Sequence, residues 1–404
     1  MKIKFLPILL GSDENAYGCA RLFYDEYKIK PLLICSRALP PTSYSKILVR
    51  RVVKDFDTPY VFKGVMGELL DELKKKAERL IVIPCSDYYT DLTVKNRELF
   101  INNTFSPILS EELYKKVCDK KAFYSLCREK GLPFPETEIM SAEQLLSATL
   151  PFDFPIVIKP ENSNSYSYLH LNIENRKKVY FCQNREELKT VAESFFAVGY
   201  ADSLIVQRYI DGNRSLTVNA YCGKDGRVRL IGAAEPLLEY NAPSLIGNYA
   251  ALKTVKSREL CNEIIDFLED IGYVGLVNFD LKFDEKSGRY LFFELNPRQG
   301  RSSYYIRTAG ESLIKTLCDD VIFDVKYSGV KYAESEGVWR NIPSLLLKRK
   351  APSLPKNLRT DTAISYLYDF SPMRALTLLR RDIGSARLIK DTDGNEGWVI
   401  MNDK

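Results

Sequence analysis

The sequence predicts an α/β protein, and two patterns predict it. Hydrophobic strands alternate with amphipathic helices over the first part of the chain, as a parallel sheet with helical crossovers requires. Further on, apolar runs are joined by short polar turns, as antiparallel strands are. The first pattern opens with "FLPILLGSDENAYGCARLFYDEYKIKPLLIC", which reads as strand, polar turn, helix and strand. Gly11-Ser12 closes that strand, and Ala20, Leu22, Phe23 and Tyr27 fit one helical face. "GVMGELLDELKKKAE" is a helix and "RLIVIPCSD" a buried strand ending in polar residues. Residues 1–118 are therefore expected to form an open α/β domain. Ligands of such sheets lie at the carboxyl ends of the strands, which makes Ser12 and Ser86-Asp87 candidate wall residues. Turn formation accounts for them equally well.

"EELYKKVCDKKAFYSLCREKGLPFPET" is a helix or helix pair ending at Gly131, with Pro133 and Pro135 at the exit. "FPIVIKP" is a short strand with Lys159 near its end. "DSLIVQRYIDGNRSLTVNAYC" gives two strands broken around Asp211-Gly212. "CNEIIDFLEDIGYVGLVNFDLKFDEKSGRYLFFELN" gives a helix and two strands joined by a turn at Asp284 to Gly288. Residues 302–323 return to helix, and the last 75 residues hold short mixed segments.

Composition narrows the function classes. The chain has 404 residues, 45% of them apolar and 27% charged, with 58 basic against 53 acidic residues. Such a balance argues against a dedicated nucleic-acid or membrane-surface binder. The basic run "LLLKRK" reads as a solvated element end. The nine cysteines include no Cys-x-x-Cys pair, so reduced thiols are expected rather than zinc or a disulfide framework. No run of about 18 apolar residues is present, and a cytoplasmic protein is expected.

The segment "FFELNPRQGRSSYY" starts as a buried strand and then delivers Glu294, Asn296, Arg298 and Arg301 around Gly300. Folding the hairpin about Ser287 brings Asp280 opposite Glu294, with Asn296 on the same face. Opposed like charges destabilise a sheet. A divalent cation removes the conflict, since Asp, Glu and Asn offer the hard oxygens that Mg²⁺ prefers. Two surface acids at strand ends is the plainer reading of that pair alone. Lys120 and Lys159 add point charges suited to phosphate. The set has the ingredients of phosphoryl transfer.

"CDKKAFY", "PIVIKP", "IVQRYIDG", "VNFDLKF" and "FFELNPRQGRSS" stand in the order and spacing of the ATP-grasp ligases, which this chain resembles over roughly 119–310. The ending most resembles the carboxylate–amine ligase branch that includes bacterial D-aspartate ligases. The resemblance implies an ATP-grasp fold: a pre-ATP-grasp domain (1–118), a small lobe and lid (119–205), a large lobe with the metal site (206–330) and a C-terminal segment packed on it (331–404). ATP would lie in the cleft between the two α+β lobes. Lys120 and Lys159 would hold its phosphates, and Gln207, Arg208, Tyr209 and Ile210 would be the hinge against adenine. Asp280, Glu294 and Asn296 would carry Mg²⁺, with Mn²⁺ as the substitute. Arg298 would face the transferred phosphoryl group and Arg301 a substrate carboxylate, with Ser302 and Ser303 at a helix N-terminus.

Two departures stand out. Where the family has a glycine-rich loop over the phosphates, this chain has "ENSNSYSY", so Asn162, Ser163 and Ser165 take that place. Arg214 stands where an acid often contacts ribose, and Asp211 is the substitute.

The expected chemistry is amide or peptide-bond formation through an acyl phosphate, with D-aspartate addition to a peptidoglycan precursor as its most specific form. A ligase making another small amide and a non-catalytic nucleotide-binding protein on the same scaffold are the alternatives. A dinucleotide-binding enzyme is disfavoured, because no G-x-G-x-x-G follows the first strand. His170, the single histidine, is expected to be structural, and the group that deprotonates the amine is not visible. The expected partners are ATP and small amino-acid or peptide substrates, with no nucleic acid and no membrane span, and a homodimer as the assembly to test.

Overall fold

The computed structural model describes residues 2–161, 168, 171–173, 176–177, 179–212, 214–240, 247–355 and 357–389. They form two compact units. One holds residues up to Cys118, Arg214–Leu281 and Glu294 onward, and the other holds residues 119–212 and Lys282–Phe293. Asn162, Ser163, Ser165 and His170 lie outside the described residues.

In the first unit, β1 (Ile3–Leu10), β2 (Leu32–Cys35), β3 (Val49–Val52), β4 (Ala77–Pro84) and β5 (Thr104–Phe105) form the expected parallel sheet, in the order β3-β2-β1-β4-β5. Helix α1 (Glu14–Tyr27) follows β1 because Asp13 caps it, its carboxylate accepting from the Ala16 N–H at 3.1 Å. Ala16, Tyr17, Ala20 and Phe23 are buried on its inner face. Helices α2 (Pro59–Leu73), α3 (Asp87–Lys95) and α4 (Glu111–Cys118) complete this part. Strand order reverses between β2-β1 and β1-β4, so a crevice opens at the carboxyl ends of β1 and β4.

The second unit begins with α5 (Lys120–Lys130), which ends at Gly131 in the left-handed region, φ 72°. Its sheet pairs β6 (Thr137–Met140), β7 (Ile156–Pro160), β8 (Tyr180–Cys182) and β9 (Leu204–Arg208) antiparallel, in the order β6-β9-β7-β8. Strand β9 runs across the boundary expected after residue 205. Helices α6 (Ala142–Ser147) and α7 (Arg185–Ala197) cover the sheet, and Ile156, Ile158, Leu188, Phe195, Leu204 and Val206 are its core.

The larger sheet is antiparallel where β10 (Ser215–Cys222), β11 (Val228–Glu239) and β12 (Tyr249–Val255) meet. Strand β13 (Gly275–Asp284), preceded by α8 (Arg258–Asp270), pairs with β10, and β14 (Arg289–Asn296) pairs with β13. The short strands β15 (Lys331–Ala333), β16 (Val338–Arg340) and β17 (Thr360–Asp361) extend it, so the C-terminal residues are partly sheet. Helix α9 (Leu313–Val321) packs against α1. Leu9, Phe23, Tyr221, Leu230, Leu317 and Trp339 share one buried cluster, so the parallel sheet and the larger one have a common core. Helices α10 (Ser344–Lys350) and α11 (Pro372–Ala386) end the described chain. Among the described residues no helix is long and apolar enough to cross a membrane.

Candidate active site

The polar cluster of the first unit is set by strand periodicity. Asn278 and Asp280 are two apart on β13, and Thr217 and Asn219 two apart on β10, so each pair shares a face. Asn278 donates to Thr217 Oγ1 at 2.7 Å, and Asn296 on β14 donates to both Asn278 Oδ1 and Asp280 Oδ2 at 3.3 Å. The structure thus brings Asp280 and Asn296 together, while Glu294 is exposed. Burial, with the charge of Glu294 added, pushes the Asp280 carboxyl up to about 7 against the pull of Arg298.

After β14 the chain turns under tight constraint. Gly300 donates to Asn219 Oδ1 at 2.6 Å, and a Cβ there would come within 3.1 Å of Asn219 and Asn278. Any larger residue would press on both amides. Gln299 is buried, with its amide nitrogen 3.4 Å from the Pro84 carbonyl oxygen. Either side of this anchor stands an arginine holding a carboxylate. Arg298 bonds Asp87 through Nε and Nη2 at 2.6 and 2.9 Å, and Arg301 bonds Glu14 Oε2 through Nε and Nη2 at 3.0 and 2.7 Å. Against the cost of burial, Arg301 holds Glu14 below the usual carboxylate range. Burial and Glu14 push Asp13 up to about 6. Ser303 N–H is bonded to the Gly300 carbonyl at 3.0 Å, and the helix that follows Ser302 and Ser303 has a single turn, Tyr305–Thr308.

At the carboxyl ends of β1, β2 and β4 lies a cavity of about 250 Å³ lined by Ser12, Asp13, Arg37, Asp57, Ser86 and Tyr89. Two of the expected wall residues line it.

In the second unit, Lys159 donates to Gln207 Oε1 at 2.9 Å and lies over the Phe293 ring at 5.4 Å. Gln207 is buried, its amide bonded to the hydroxyls of Tyr124 and Thr137 at 2.8 and 2.9 Å. Arg208 is turned into an ion-paired cluster with Glu136 and Asp284. Its backbone N–H is bonded to Glu136 and that of Tyr209 to Pro155, so neither amide is open to a base. Ile210 is buried, and Asp211 accepts from the Gly212 N–H at 2.7 Å. Lys120 is the half-buried first residue of α5.

Among the described residues no group of three or more His, Cys, Asp or Glu side chains is arranged to hold a metal ion. The donor set is two carboxylates and an amide, all hard oxygen donors; burial first and the charge of Glu294 second raise the Asp280 carboxyl, and a cation would relieve the second. The set fits Mg²⁺.

Sequence reasoning missed Glu14, Asp13, Asn278 and Asn219. The first two follow the carboxyl end of the first parallel strand, and Asn278 precedes Asp280 by one strand period, so signals for all but Asn219 were present.

Comparison with known proteins accords with this geometry. A family model described as "L-aspartate--L-methionine ligase, ATP grasp" matches residues 135–296. The D-aspartate ligase of Enterococcus faecium (strain Aus0004) is 34% identical over 395 residues, covering 93% of each chain. Among solved structures, N5-carboxyaminoimidazole synthetase from Staphylococcus aureus superposes with TM-score 0.60 at 13% identity, covering 88% of both chains. An L-amino acid ligase from Bacillus licheniformis does so with TM-score 0.56 at 14% identity, covering 80% of this chain and 75% of its own. The structural likenesses establish the fold, and the full-length relative establishes the family. The chain belongs to the ATP-grasp ligases and is an ATP-dependent, ADP-forming carbon–nitrogen ligase.

Proposed function

We propose that the chain joins a carboxylate of aspartate to an amine. The observation that carries this reading is the pair of arginines. Arg298 and Arg301 stand either side of a buried anchor, and each already holds a carboxylate of the chain itself. A guanidinium fork matches a carboxylate through two parallel hydrogen bonds, and a dicarboxylic amino acid carries one group to activate and one to be recognised. Support comes from the relatives, whose names specify D-aspartate and L-aspartate. The D-aspartate ligase relative favours the D isomer, and the same proposal takes a peptidoglycan precursor as the amine substrate and the cytoplasm as the compartment. The cavity beside Asp13 and Ser86 suits the amine substrate, at the strand ends where such sheets bind ligands.

The reaction runs in two displacements. A carboxylate oxygen of the substrate attacks the γ-phosphorus of ATP, the bond to ADP breaks, and an acyl phosphate forms. The amine then attacks the acyl carbon, phosphate leaves with the bonding electrons, and the nitrogen loses a proton. Lys120 and Lys159 neutralise nucleotide phosphates, and Arg298 stabilises charge as the phosphoryl group moves. Arg301 orients the second carboxylate. Asp280, Glu294 and Asn296 would hold Mg²⁺, which supplies charge neutralisation to the phosphates; Mn²⁺ shares its ligand preference. Gln207 positions Lys159. Asp211 contacts the ribose.

The test is ADP release with D-aspartate, L-aspartate, D-glutamate and D-asparagine, each with peptide amines ending in lysine or methionine. Release that requires D-aspartate and a lysine amine is expected. Equal release with D-asparagine would overturn the need for two carboxylates.

A further inference from the structure

Helix α11 presents an apolar face that nothing in the described chain covers. Ser371 caps it, accepting from the Arg374 N–H at 3.2 Å, and Pro372 fills its first position. Leu378 is fully buried in the main core, and Arg374 and Asp382 are buried on the same side. At 100° per residue, Met373, Leu376, Leu379 and Ile383 fall together on the opposite side, each between 43% and 53% exposed. Leu367 and Phe370, just before the helix, are exposed as well. Apolar residues scattered singly need no partner, but a contiguous stripe on one helix does.

The charge around the stripe has one sign. Arg380 and Arg387 are exposed on the same face. Residues 343–389 contain nine basic and three acidic residues, an excess larger than that of the whole chain, so the remainder is slightly acidic. Two of the three acids point inward: Asp369 is bonded by Tyr17 and the Lys46 N–H, and Asp382 is paired with Arg381. The third, Asp361, is half-buried and paired with Arg359. Helix α10 packs through Leu346 and Leu347 into the cluster that takes Ala386, Leu388 and Ile389 from the end of α11. This brings exposed Lys348 and Arg349 to that same end, with Leu345 exposed beside them.

We propose that the α11 face, with the basic end of α10, is a docking surface for an anionic lipid bilayer. An amphipathic helix with apolar side chains and arginines outward lies at such an interface, its apolar groups among the acyl chains and its cations among the headgroups. Charge decides against a second copy of the chain. Two-fold pairing of this face would add the Arg380 and Arg387 of one copy to those of the other, and among the described residues its exposed side offers no acid to meet them. The surface would hold the enzyme at a membrane.

The experiment is sedimentation of the full chain with phosphatidylcholine vesicles, with and without phosphatidylglycerol. Binding only to the phosphatidylglycerol vesicles, released by high salt, is expected. R380E/R387E should weaken it at least about fivefold per charge. L379E/I383E should abolish it with ADP release and thermal melting unchanged, since all four positions are exposed. No binding by the full chain, equal binding to pure phosphatidylcholine, or binding that survives both variants would overturn the proposal. Self-association abolished by L379E/I383E, without vesicle binding, would assign the face to a second copy. Vesicle binding that appears only after removal of residues beyond Ile389 would assign it to the chain's own C-terminus.

Discussion

Arg298 and Asp87, 211 residues apart in sequence, meet in a bidentate ion pair with both contacts under 3 Å. The arginine is largely buried and the aspartate largely exposed, so the carboxylate closes the fork from the solvent side. Asp87 and the Asp280–Glu294 acids all hold Arg298 in its charged form, against the cost of burial. Arg298→Lys should lower kcat by roughly 30- to 1,000-fold, the usual cost of about 2–4 kcal/mol for losing a charge-assisted transition-state contact. The KM for ATP should change little. An effect on KM alone would move Arg298 from the reacting group to ground-state binding.

Arg301 is more open, and its fork rests on a single oxygen of Glu14. Arg301→Lys should raise the KM of the amino-acid substrate by about tenfold or more while leaving that of ATP alone, because an ammonium cannot reproduce a two-point match to a carboxylate. Steady-state ADP release with each substrate varied in turn checks this. A shift in the KM of ATP instead would exchange the roles of the two arginines.

The fold was legible where local pattern and tertiary role agree. The alternation of strand and helix gave the parallel sheet, and Gly131 ended α5 as its position requires. The polar residues on β13 and β14 could be read as a group because strand periodicity places them. Glu14 could not be paired with Arg301 in this way, because 287 residues separate them and only tertiary packing joins them. The surroundings of Arg208 were hidden for a related reason: the chain offers no local sign that Glu136 and Asp284 will close on its side chain. Helix α11 was not legible among the short mixed segments of the last 75 residues, and a sequence does not say which face of such a helix is buried.

Glu294→Gln keeps side-chain volume and removes one charge from the proposed cation ligands. Glu294 is exposed, so the melting temperature should stay within a degree or two, as for most surface substitutions. ADP production at saturating Mg²⁺ should fall by about 100-fold or more, the usual scale for losing an electrostatic contact in a transition state. Turnover close to wild type would remove Glu294 from the cation site.

Asp13 gives the stability curve a pH slope of known sign. Its folded carboxyl titrates at about 6, above the ordinary 3.8, because burial and Glu14 disfavour the charge. Below about pH 4 both states hold the proton. Between about 4 and 6 the unfolded chain loses it first, so this group makes stability fall as pH rises. Asn is as good a helix cap as Asp. The melting temperature of Asp13→Asn relative to wild type should therefore climb from pH 4 to 6 and level off above it. A difference that stays constant across that range would count against the raised carboxyl.

Gly275 opens β13, the strand that carries Asn278 and Asp280, and backbone geometry there admits no side chain. Its φ is +105°, and a Cβ would come within 2.4 Å of the Pro107 carbonyl oxygen. Gly288, in the turn between β13 and β14, also has positive φ at +68°, but nothing lies within 4 Å of its Cβ position. Comparing the two separates backbone strain from overpacking. Gly288→Ala should cost only about 1 kcal/mol, the conformational part alone. Gly275→Ala adds a clash with backbone that cannot move aside as a side-chain tip would, and should cost roughly 2–4 kcal/mol. Urea unfolding at equal protein concentration gives both values. Because the displaced strand carries the proposed cation ligands, Gly275→Ala should also lower ADP release per folded molecule, whereas Gly288→Ala should not. Equal stability losses would show that β13 shifts freely and that its register does not fix the acids.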